Sequence, residues 1–377
     1  MPTPCKIGGT VSVLRALFRD TLFLALLLVF AGLTVSLNGV LQKAPSLVDW
    51  PTIASLAGLL VLTKGVELSG YLHRLGERII TAMRTERALA ICLVSTSALL
   101  STLLTNDVAL FIVVPLTVSL HGLAALPVTR LIVFEALAVN AGSTLTPIGN
   151  PQNLFLWQIS HTAFHEFVGA MLPLTGLLML PLLGLTACAF RGRPVTLHED
   201  MRPPPLQKHL LWLSLGLYLP FLALADLHHA EAALLLLLIV YLWRYRTVLA
   251  RVDWTLMGVF ILMFIDLRLL AQIGPVISLI DRLHPDQPAS LYLAGVSVSQ
   301  IISNVPAAIL FAEYSKDWRI IAYAVNVGGF GLALGSLANI IALRMSRDRR
   351  AWLIFHGYSL PFLLLSATLV YLWLFEV

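Results

Sequence analysis

The sequence predicts an all-α polytopic membrane protein made of two inverted-topology repeats, each with a re-entrant helical hairpin and a broken transmembrane helix. Three observations lead to this prediction. The 377 residues are 58% hydrophobic and 12% charged, with a mean hydropathy of +0.86, which is too apolar for a soluble chain of this size. Basic residues concentrate in alternate connecting segments. Polar and glycine motifs in the first half recur in the second half at a constant separation.

The apolar segments define the elements in order. The first, 21–40, is long enough to cross a hydrocarbon core of about 30 Å, and we interpret it as a retained helix and not a cleaved signal peptide. The whole pattern predicts about nine spans and two hairpins. The spans are 21–40, 51–72, 131–157, 167–190, 209–225, 231–247, 254–280, 319–343 and 352–375, and the hairpins are 90–119 and 289–315.

These elements predict a division of the chain into repeats. Residues 1–20 form a cytoplasmic N-terminus, and 21–190 form repeat 1 with its hairpin at 90–119 and its broken helix at 131–157. A cytoplasmic linker, 191–208, precedes an extra linking helix at 209–225. Repeat 2 covers 231–377, with its hairpin at 289–315 and its broken helix at 319–343. The extra helix would invert repeat 2 relative to repeat 1.

The distribution of lysine and arginine predicts the orientation in the membrane. With the spans above, 19 of the 25 basic residues fall on one side, and cytoplasmic loops are the ones that concentrate basic residues. The N-terminus is therefore predicted to be cytoplasmic and the C-terminus to lie outside. Both hairpins that enter and return and paired crossings satisfy this charge pattern.

Composition and motifs also exclude other classes of protein. Three scattered cysteines, Cys5, Cys92 and Cys188, indicate neither a disulfide framework nor a metal site. The sequence has no phosphate-binding Gly-Lys-Ser/Thr loop, which argues against ATP hydrolysis by this chain. Topology explains the basic pI of 9.2 without a nucleic-acid partner. We expect no enzyme activity.

The internal repeat is the most informative pattern. Asn140-Ala141-Gly142, followed by Gly149 and Asn153, matches Asn326-Val327-Gly328, followed by Gly335 and Asn339, always 186 positions later. Upstream, Thr105-Asn106-Asp107-Val108 corresponds to Ser303-Asn304-Val305-Pro306 in the middle of each hairpin. Paired interruptions in two inverted halves indicate a transporter binding site near the middle of the membrane.

Prolines and glycines predict where the broken helices break. The segment 142–151 contains two prolines and two glycines, and the segment 328–335 contains four glycines. Non-helical backbone at bilayer depth persists only where protein, water or a ligand satisfies its polar groups. The resulting half-helices would offer positive N-termini to an anion and free carbonyl groups to a cation.

These motifs resemble the citrate transporter (CitM-type) and arsenite permease branch of the ion transporter superfamily, over nearly the whole chain. The divalent anion/sodium symporters are more distant relatives, and the chain closely resembles little-characterised bacterial inner-membrane members of the branch. The resemblance implies an elevator-type carrier, commonly a homodimer, whose hairpin tips and broken helices bind substrate and a coupling cation. The symporters have Ser-Asn-Thr at both tips, whereas this chain has Thr105-Asn106-Asp107 and Ser303-Asn304-Val305.

The predicted site residues follow from the repeat and the resemblance. The predicted substrate-binding residues are Thr105, Asn106, Ser143, Asn150, Asn153, Ser303, Asn304 and Asn339. The predicted coupling-ion residues are Asp107, Asn106, Gly142, Asn304 and Gly328. The asparagines offer both donors and an acceptor, so they can bind a ligand or tie the tip to the facing broken helix.

Charged residues within apolar segments leave alternatives open. Asp107 can bind a cation or carry a proton, and it can also cap the helix that follows it. Lys64 and Glu67 share a helix face and form either a charge relay or an ion pair that joins two helices. We interpret Glu135 as a packing or cytoplasmic-end residue and expect Asp266 to pair with Arg268.

The sequence therefore predicts a secondary active transporter of a small oxyanion or organic anion, driven by a proton or sodium gradient. A cation/proton antiporter is the alternative, followed by an anion channel. Expected partners are the anionic substrate, the coupling proton or sodium, the lipid bilayer and a second copy of the chain. No metal or cofactor is expected beyond a sodium ion, should sodium be the coupling ion. The expected location is the bacterial inner membrane.

Overall fold

A computed structural model describes residues 21–36, 40–71, 74, 83–119, 126–194 and 205–376. The predicted N-terminus at 1–20 and most of the linker at 191–208 lie outside these residues. Every regular element that the described residues form is a helix, and Thr85 and Pro194 add one isolated antiparallel bridge. The predicted all-α fold class is confirmed.

Eighteen α-helices are described, and we number them in chain order. The first nine are α1 Thr21–Ser36, α2 Val40–Lys43, α3 Trp50–Leu68, α4 Glu86–Leu103, α5 Asn106–Ser119, α6 Val128–Gly142, α7 Pro151–Ser160, α8 Phe164–Ala189 and α9 Lys208–Asp226. The others are α10 Ala230–Arg244, α11 Arg246–Leu249, α12 Thr255–Leu270, α13 Gly274–Asp281, α14 Pro288–Ile302, α15 Asn304–Ala312, α16 Trp318–Val327, α17 Leu337–Ser346 and α18 Ala351–Phe375. Short 3₁₀ helices cover Ala44–Leu47, Pro147–Gly149 and Ala333–Gly335.

Several of these helices are long and apolar enough to cross a membrane. Among the described residues they are α3, α4, α8, α9 and α18, and the bent pair α12–α13 makes a sixth if it counts as one span. Shorter apolar helices include α5, α14 and α17. The chain is thus an all-helical polytopic membrane protein.

One predicted span differs in the structure. The segment 254–280 was expected to be a single helix, but α12 ends at Leu270 and α13 begins at Gly274 at an angle of 80°. The physical reason is the Gly274-Pro275 pair, because proline has no N–H for an intrahelical bond and fits best in the first turn of a new helix.

The chain forms two compact units, and each combines segments from both halves of the sequence. Unit 1 is 1–64 with 217–279, and unit 2 is 65–216 with 280–377. In unit 1, α1 packs on α12, and the Arg268 guanidinium donates to the Leu47 carbonyl at 2.8 Å. Asp266 is buried, and its carboxylate oxygens have no hydrogen-bond partner among the described residues. The expected Asp266–Arg268 pair is therefore not formed.

Unit 2 is organised around α6. This helix packs against α4, α5, α8, α17 and α18, and its residues from Leu131 to Gly142 are all buried. The Phe134 ring makes edge contacts with Phe190 and Tyr358. Just inside the start of α6, the Thr129 hydroxyl donates to Asp348 at 2.7 Å and lowers the pKa of that carboxyl group. A helix buried on all sides in this way is the centre of a core.

Candidate functional site

Two helical hairpins in unit 2 present the predicted tip residues. Hairpin 1 is α4 and α5 joined at Leu104–Thr105, and hairpin 2 is α14 and α15 joined at Ser303. At both tips the asparagine side-chain oxygen accepts a hydrogen bond from the next backbone N–H at 2.9 Å, Asn106 from Asp107 and Asn304 from Val305. Both asparagines are buried. The two tips therefore have the same local hydrogen bond.

The tip of hairpin 2 is strained. Ser303 has a φ of 75°, a backbone conformation that residues other than glycine rarely adopt. Its hydroxyl donates to the Asn304 side-chain oxygen at 3.3 Å. Such strain persists only when the surrounding structure holds it, and it concentrates at functional positions.

The two broken helices lie where the prolines and glycines predicted them. Broken span 1 consists of α6, the Pro147–Gly149 turn and α7, and broken span 2 consists of α16, the Ala333–Gly335 turn and α17. The side-chain oxygen of Asn150 caps α7 by accepting from the Asn153 N–H at 2.9 Å. Pro151 occupies the first turn of α7, where a missing N–H costs no helical bond.

Two hydrogen bonds between asparagine side chains join the two broken spans. The Asn140 side-chain amide donates to the Asn339 oxygen at 2.8 Å, and the Asn326 amide donates to the Asn153 oxygen at 2.7 Å. These two bonds relate equivalent residues, because Asn140 and Asn326 are 186 positions apart, as are Asn153 and Asn339. All four side chains are buried.

A second pair of bonds follows the same correspondence. Asn150 donates to the Asn326 oxygen at 3.0 Å, and the Ser336 hydroxyl, 186 positions after Asn150, donates to the Asn140 oxygen at 3.1 Å. Within each broken span, Asn153 donates to the Ser143 carbonyl at 3.3 Å and Asn339 to the Gly329 carbonyl at 2.9 Å. These bonds form one network, which we call the asparagine network. It engages the side-chain amides of Asn140, Asn153, Asn326 and Asn339.

Each hairpin is bonded to the broken span of its own half. The Thr102 hydroxyl donates to the Gly142 carbonyl at 2.8 Å, and the Gln300 amide donates to the Gly328 carbonyl at 2.7 Å. Thr102 and Gln300 occupy the same place, four residues before the tip asparagines Asn106 and Asn304. Their carbonyl partners are the two glycines predicted to bind the coupling ion. The Gly142 carbonyl also accepts from the Leu145 N–H at 3.3 Å, so both of its lone pairs are engaged.

The backbone of each broken span approaches its hairpin closely at these glycines. A Cβ added to Gly142 would lie 2.2 Å from the Ala98 carbonyl oxygen, and one added to Gly328 would lie 2.5 Å from the Ser299 Cβ. Contacts this short leave no room for a side chain. Glycine is therefore required at both positions by packing, whether or not its carbonyl binds an ion.

The structure places most of the predicted residues in unit 2, at the tips, at the breaks and in the asparagine network. Thr105 is buried, with its hydroxyl oxygen 3.5 Å from the Val108 N–H, and the Ser143 hydroxyl donates to the Asn140 carbonyl at 3.1 Å. Asp107 lies half-buried in the first turn of α5 and is the only ionisable residue predicted at the tips and breaks. The roles assigned to these residues stay predictions.

Lys64 and Glu67 were predicted to form a charge relay or an ion pair, and that role stays a prediction. They lie near the end of α3, and the boundary between the two units falls directly after Lys64. Sequence reasoning also missed site residues, namely Thr102 and Gln300, and assigned no binding or structural role to Asn140, Asn326 and Ser336. The repeat separation of 186 could have identified the asparagines, whereas Thr102 and Gln300 share only their spacing to the tips and differ in residue type.

Comparison with known proteins agrees with this architecture. A family model described as citrate transporter matches residues 13–317, which is most of the chain. The chain belongs to the citrate transporter family. The resemblance to this branch is therefore confirmed, and the chain is a member of a transporter family.

Relatives of this citrate transporter family member are also membrane proteins or transporters by name. An inner membrane protein of Escherichia coli, YbiR, is 47% identical over 95% of this chain and 96% of its own length. An uncharacterised transporter of Methanocaldococcus jannaschii is 32% identical over 86% of this chain and 89% of its own length. A silicon efflux transporter of Oryza sativa is 30% identical over 33% of this chain and 26% of its own length.

Proposed function

We propose that the chain is a secondary active transporter of a small oxyanion or organic anion, driven by a proton or sodium gradient. The observation that carries this proposal is the duplicated site, with two buried asparagine tips and two broken spans joined by equivalent hydrogen bonds. Broken spans at membrane depth are the recurrent architecture of substrate and ion sites in secondary transporters.

Inverted repeats are part of the proposal. Matching hydrogen bonds made by residues that correspond at a constant separation of 186 positions support two structural copies. The charge distribution supports opposite orientations, with the N-terminus in the cytoplasm, the C-terminus outside and about nine spans plus two hairpins. The domain division into 21–190, 191–208, 209–225 and 231–377 belongs to the same proposal.

Alternating access would be of the elevator type. Unit 2 contains both tips, both breaks and the asparagine network, so it can carry a bound substrate as one body. Unit 1 would then be the part that stays in place, and a second copy of the chain would make the carrier a homodimer. The site would be exposed to each side of the membrane in turn.

The chemistry of the site suggests which residues bind the substrate and which bind the coupling ion. Hydroxyl and amide donors for an anion would come from the predicted substrate-binding residues. These are Thr105, Asn106, Ser143, Asn150, Asn153, Ser303, Asn304 and Asn339. Asp107 and the Gly142 and Gly328 carbonyls supply oxygen acceptors for a cation or, at Asp107, a proton carrier. The coupling ion would thus lower the cost of placing an anion beside a carboxylate.

Cation/proton antiport is the second candidate function. The observation that favours it is the carboxyl group of Asp107 at the tip of hairpin 1. Asp107 is the only ionisable residue among those predicted at the tips and breaks, and intramembrane carboxylates commonly serve as ion or proton sites. Uptake measurements separate the two candidates, because only the first requires an anionic substrate.

The test uses the purified full-length protein. Thermal stability is screened against sodium, pH and a panel of citrate, dicarboxylates, sulfate, phosphate, arsenite and silicate, since a ligand of the folded state raises its stability by about 2.7 kcal/mol at a hundredfold excess over Kd. Anions that stabilise the protein are then tested for uptake and counterflow in proteoliposomes. Saturable counterflow dependent on sodium or pH supports the proposal. Cation exchange without any anion requirement favours the antiporter, and flux without counterflow favours a channel.

A further inference from the structure

A buried carboxyl group lies outside the tips and breaks, in the middle of α6. Glu135 is 0% exposed, and one of its carboxyl oxygens accepts a hydrogen bond from the Thr117 hydroxyl on α5. The other oxygen, Oε2, is buried and has no hydrogen-bond partner among the described residues. Thr117 is also wholly buried. The carboxyl group therefore sits between the returning helix of hairpin 1 and the first half of broken span 1.

No positively charged side chain in the part of the chain that the structure describes pairs with this carboxyl group. The helices packed on α6 are α4, α5, α8, α17 and α18, and none of their described ionisable side chains forms a hydrogen bond or ion pair with Glu135. Those side chains are Glu86, Arg87, Cys92, Asp107, His165, Glu166, Cys188, Arg344, His356, Tyr358 and Tyr371. On α6 itself, the Arg130 guanidinium donates to the Ala189 carbonyl at 3.0 Å and lies over the Phe190 ring. Burying an unpaired carboxylate is far more costly than burying a neutral carboxyl group.

The fold does not require an acid at this position. The residue 186 positions later, in the equivalent place on broken span 2, is Ile321, which is 2% exposed. An apolar side chain thus fills the matching site in the second copy. Glu135 retains a polar group where packing alone would favour a hydrophobic one, which indicates a role specific to one repeat.

The helix that covers Glu135 has a built-in weak point. Pro115 lies inside α5, two residues before Thr117, and a proline at such a position removes one intrahelical hydrogen bond. Helices bend at such sites. Movement of α5 away from α6 would break the Thr117 hydrogen bond and admit water to the carboxyl group.

We propose that Glu135 is a proton-binding site of this chain, separate from Asp107 at the hairpin tip. Its carboxyl group holds a proton on Oε2 while α5 packs on α6, and the O–H bond breaks with transfer of the proton to water when the helices separate. This inference rests on the proposed transport function for its link to the transport cycle, and it names the proton as a coupling ion.

Infrared spectroscopy tests proton binding directly and needs no known substrate. The full-length protein in lipid vesicles is titrated from about pH 5 to about pH 8, a range in which an ordinary carboxyl group is mostly ionised. We expect a carbonyl stretch of a protonated carboxyl group that is lost in Glu135→Gln. Glu166→Gln, which removes an exposed carboxyl group of the same unit, should leave the band unchanged. A band of equal size in wild type and Glu135→Gln, or no such band in wild type, overturns the proposal.

A second variant covers the case in which Glu135→Gln does not fold. Thr117→Val removes the hydroxyl that donates to the carboxyl group, so the carbonyl stretch should shift to higher frequency. An unshifted band overturns the assignment to Glu135.

Hydrogen–deuterium exchange of the same band tests the link to transport. We expect slow exchange in the resting protein and faster exchange when an anion that the protein transports is added. Exchange that no transported anion alters overturns the link to the cycle. If none of the tested anions is transported, the proposed function fails, but the pH titration of the band still decides whether Glu135 binds a proton.

Discussion

The Asn140 side-chain amide donates to the Asn339 side-chain oxygen at 2.8 Å and thereby connects the first half of broken span 1 to the second half of broken span 2. The bond from Asn326 to Asn153 repeats this connection in the other direction at 2.7 Å. Each half-helix is hydrogen-bonded to the other broken span. Neither broken span can therefore shift relative to the other without breaking buried hydrogen bonds. The asparagine network thus gives a physical reason for the two breaks to move together.

Asn140→Ala should destabilise unit 2. The substitution leaves the Asn339 oxygen and the Ser336 hydroxyl buried without their present partner, and each such group costs about 1–3 kcal/mol. The decrease in the free energy of unfolding is measured with the purified protein in mixed micelles. Gln272→Ala, which removes an amide at an exposed position, is the control. In a double-mutant cycle with Asn339→Ala we expect a coupling energy of about 0.5–3 kcal/mol. Additive losses would contradict the direct bond.

Gly142→Ala and Gly176→Ala should have opposite effects on stability. The new methyl group at Gly142 would lie 2.2 Å from the backbone oxygen of Ala98, and overpacking of this kind costs about 1–3 kcal/mol. Nothing lies within 4 Å of the methyl group at Gly176 on α8, where alanine has the higher helix propensity by up to about 1 kcal/mol. The free energies of unfolding of the two variants test this. Equal values would mean that α4 and α6 do not pack as closely as described.

Much of the fold follows from local chemistry and could be predicted. The hairpin tips at Asn106 and Asn304 lie between apolar runs, and the breaks follow Pro147, Pro151 and the glycines of 328–335. The 80° bend before Gly274 was missed, although a Gly-Pro pair marks it, because the hydropathy of 254–280 is continuous across it. Hydropathy detects burial in lipid, and it does not detect a change in helix direction.

The site was predicted less completely, for a physical reason. The separation of 186 residues shows that Asn140 is equivalent to Asn326, but it does not show that Asn140 meets Asn339. Which equivalent residues meet depends on how the two copies pack, and that is a property of tertiary structure. Thr102 and Gln300 differ in residue type, so comparing the copies by identity could not reveal that both bond a glycine carbonyl.

Gln300→Glu should make the stability of unit 2 depend on pH. The Gln300 amide donates to the Gly328 carbonyl, and its oxygen accepts from the Leu332 N–H at 2.8 Å. An ionised glutamate keeps the acceptor and loses the donor, whereas a protonated glutamate recovers an O–H donor. The melting temperature of the variant should therefore approach that of wild type as the pH falls. Gln272→Glu at an exposed position is the control, and the same pH response in both variants would contradict the prediction.

Asp107→Asn should abolish gradient-driven accumulation while the protein stays folded. Asparagine has nearly the same shape and can still accept hydrogen bonds in the first turn of α5, but it can neither bind a cation by charge nor release a proton. We expect accumulation in proteoliposomes to fall by at least about tenfold, equivalent to about 1.4 kcal/mol. Asp286→Asn, at an exposed position in unit 2, should retain full accumulation. Sodium and proton gradients are imposed separately, so the gradient whose effect is lost identifies the ion bound at Asp107. Full accumulation by Asp107→Asn with either gradient would remove Asp107 from the coupling mechanism and leave Glu135 as the remaining carboxyl candidate in unit 2.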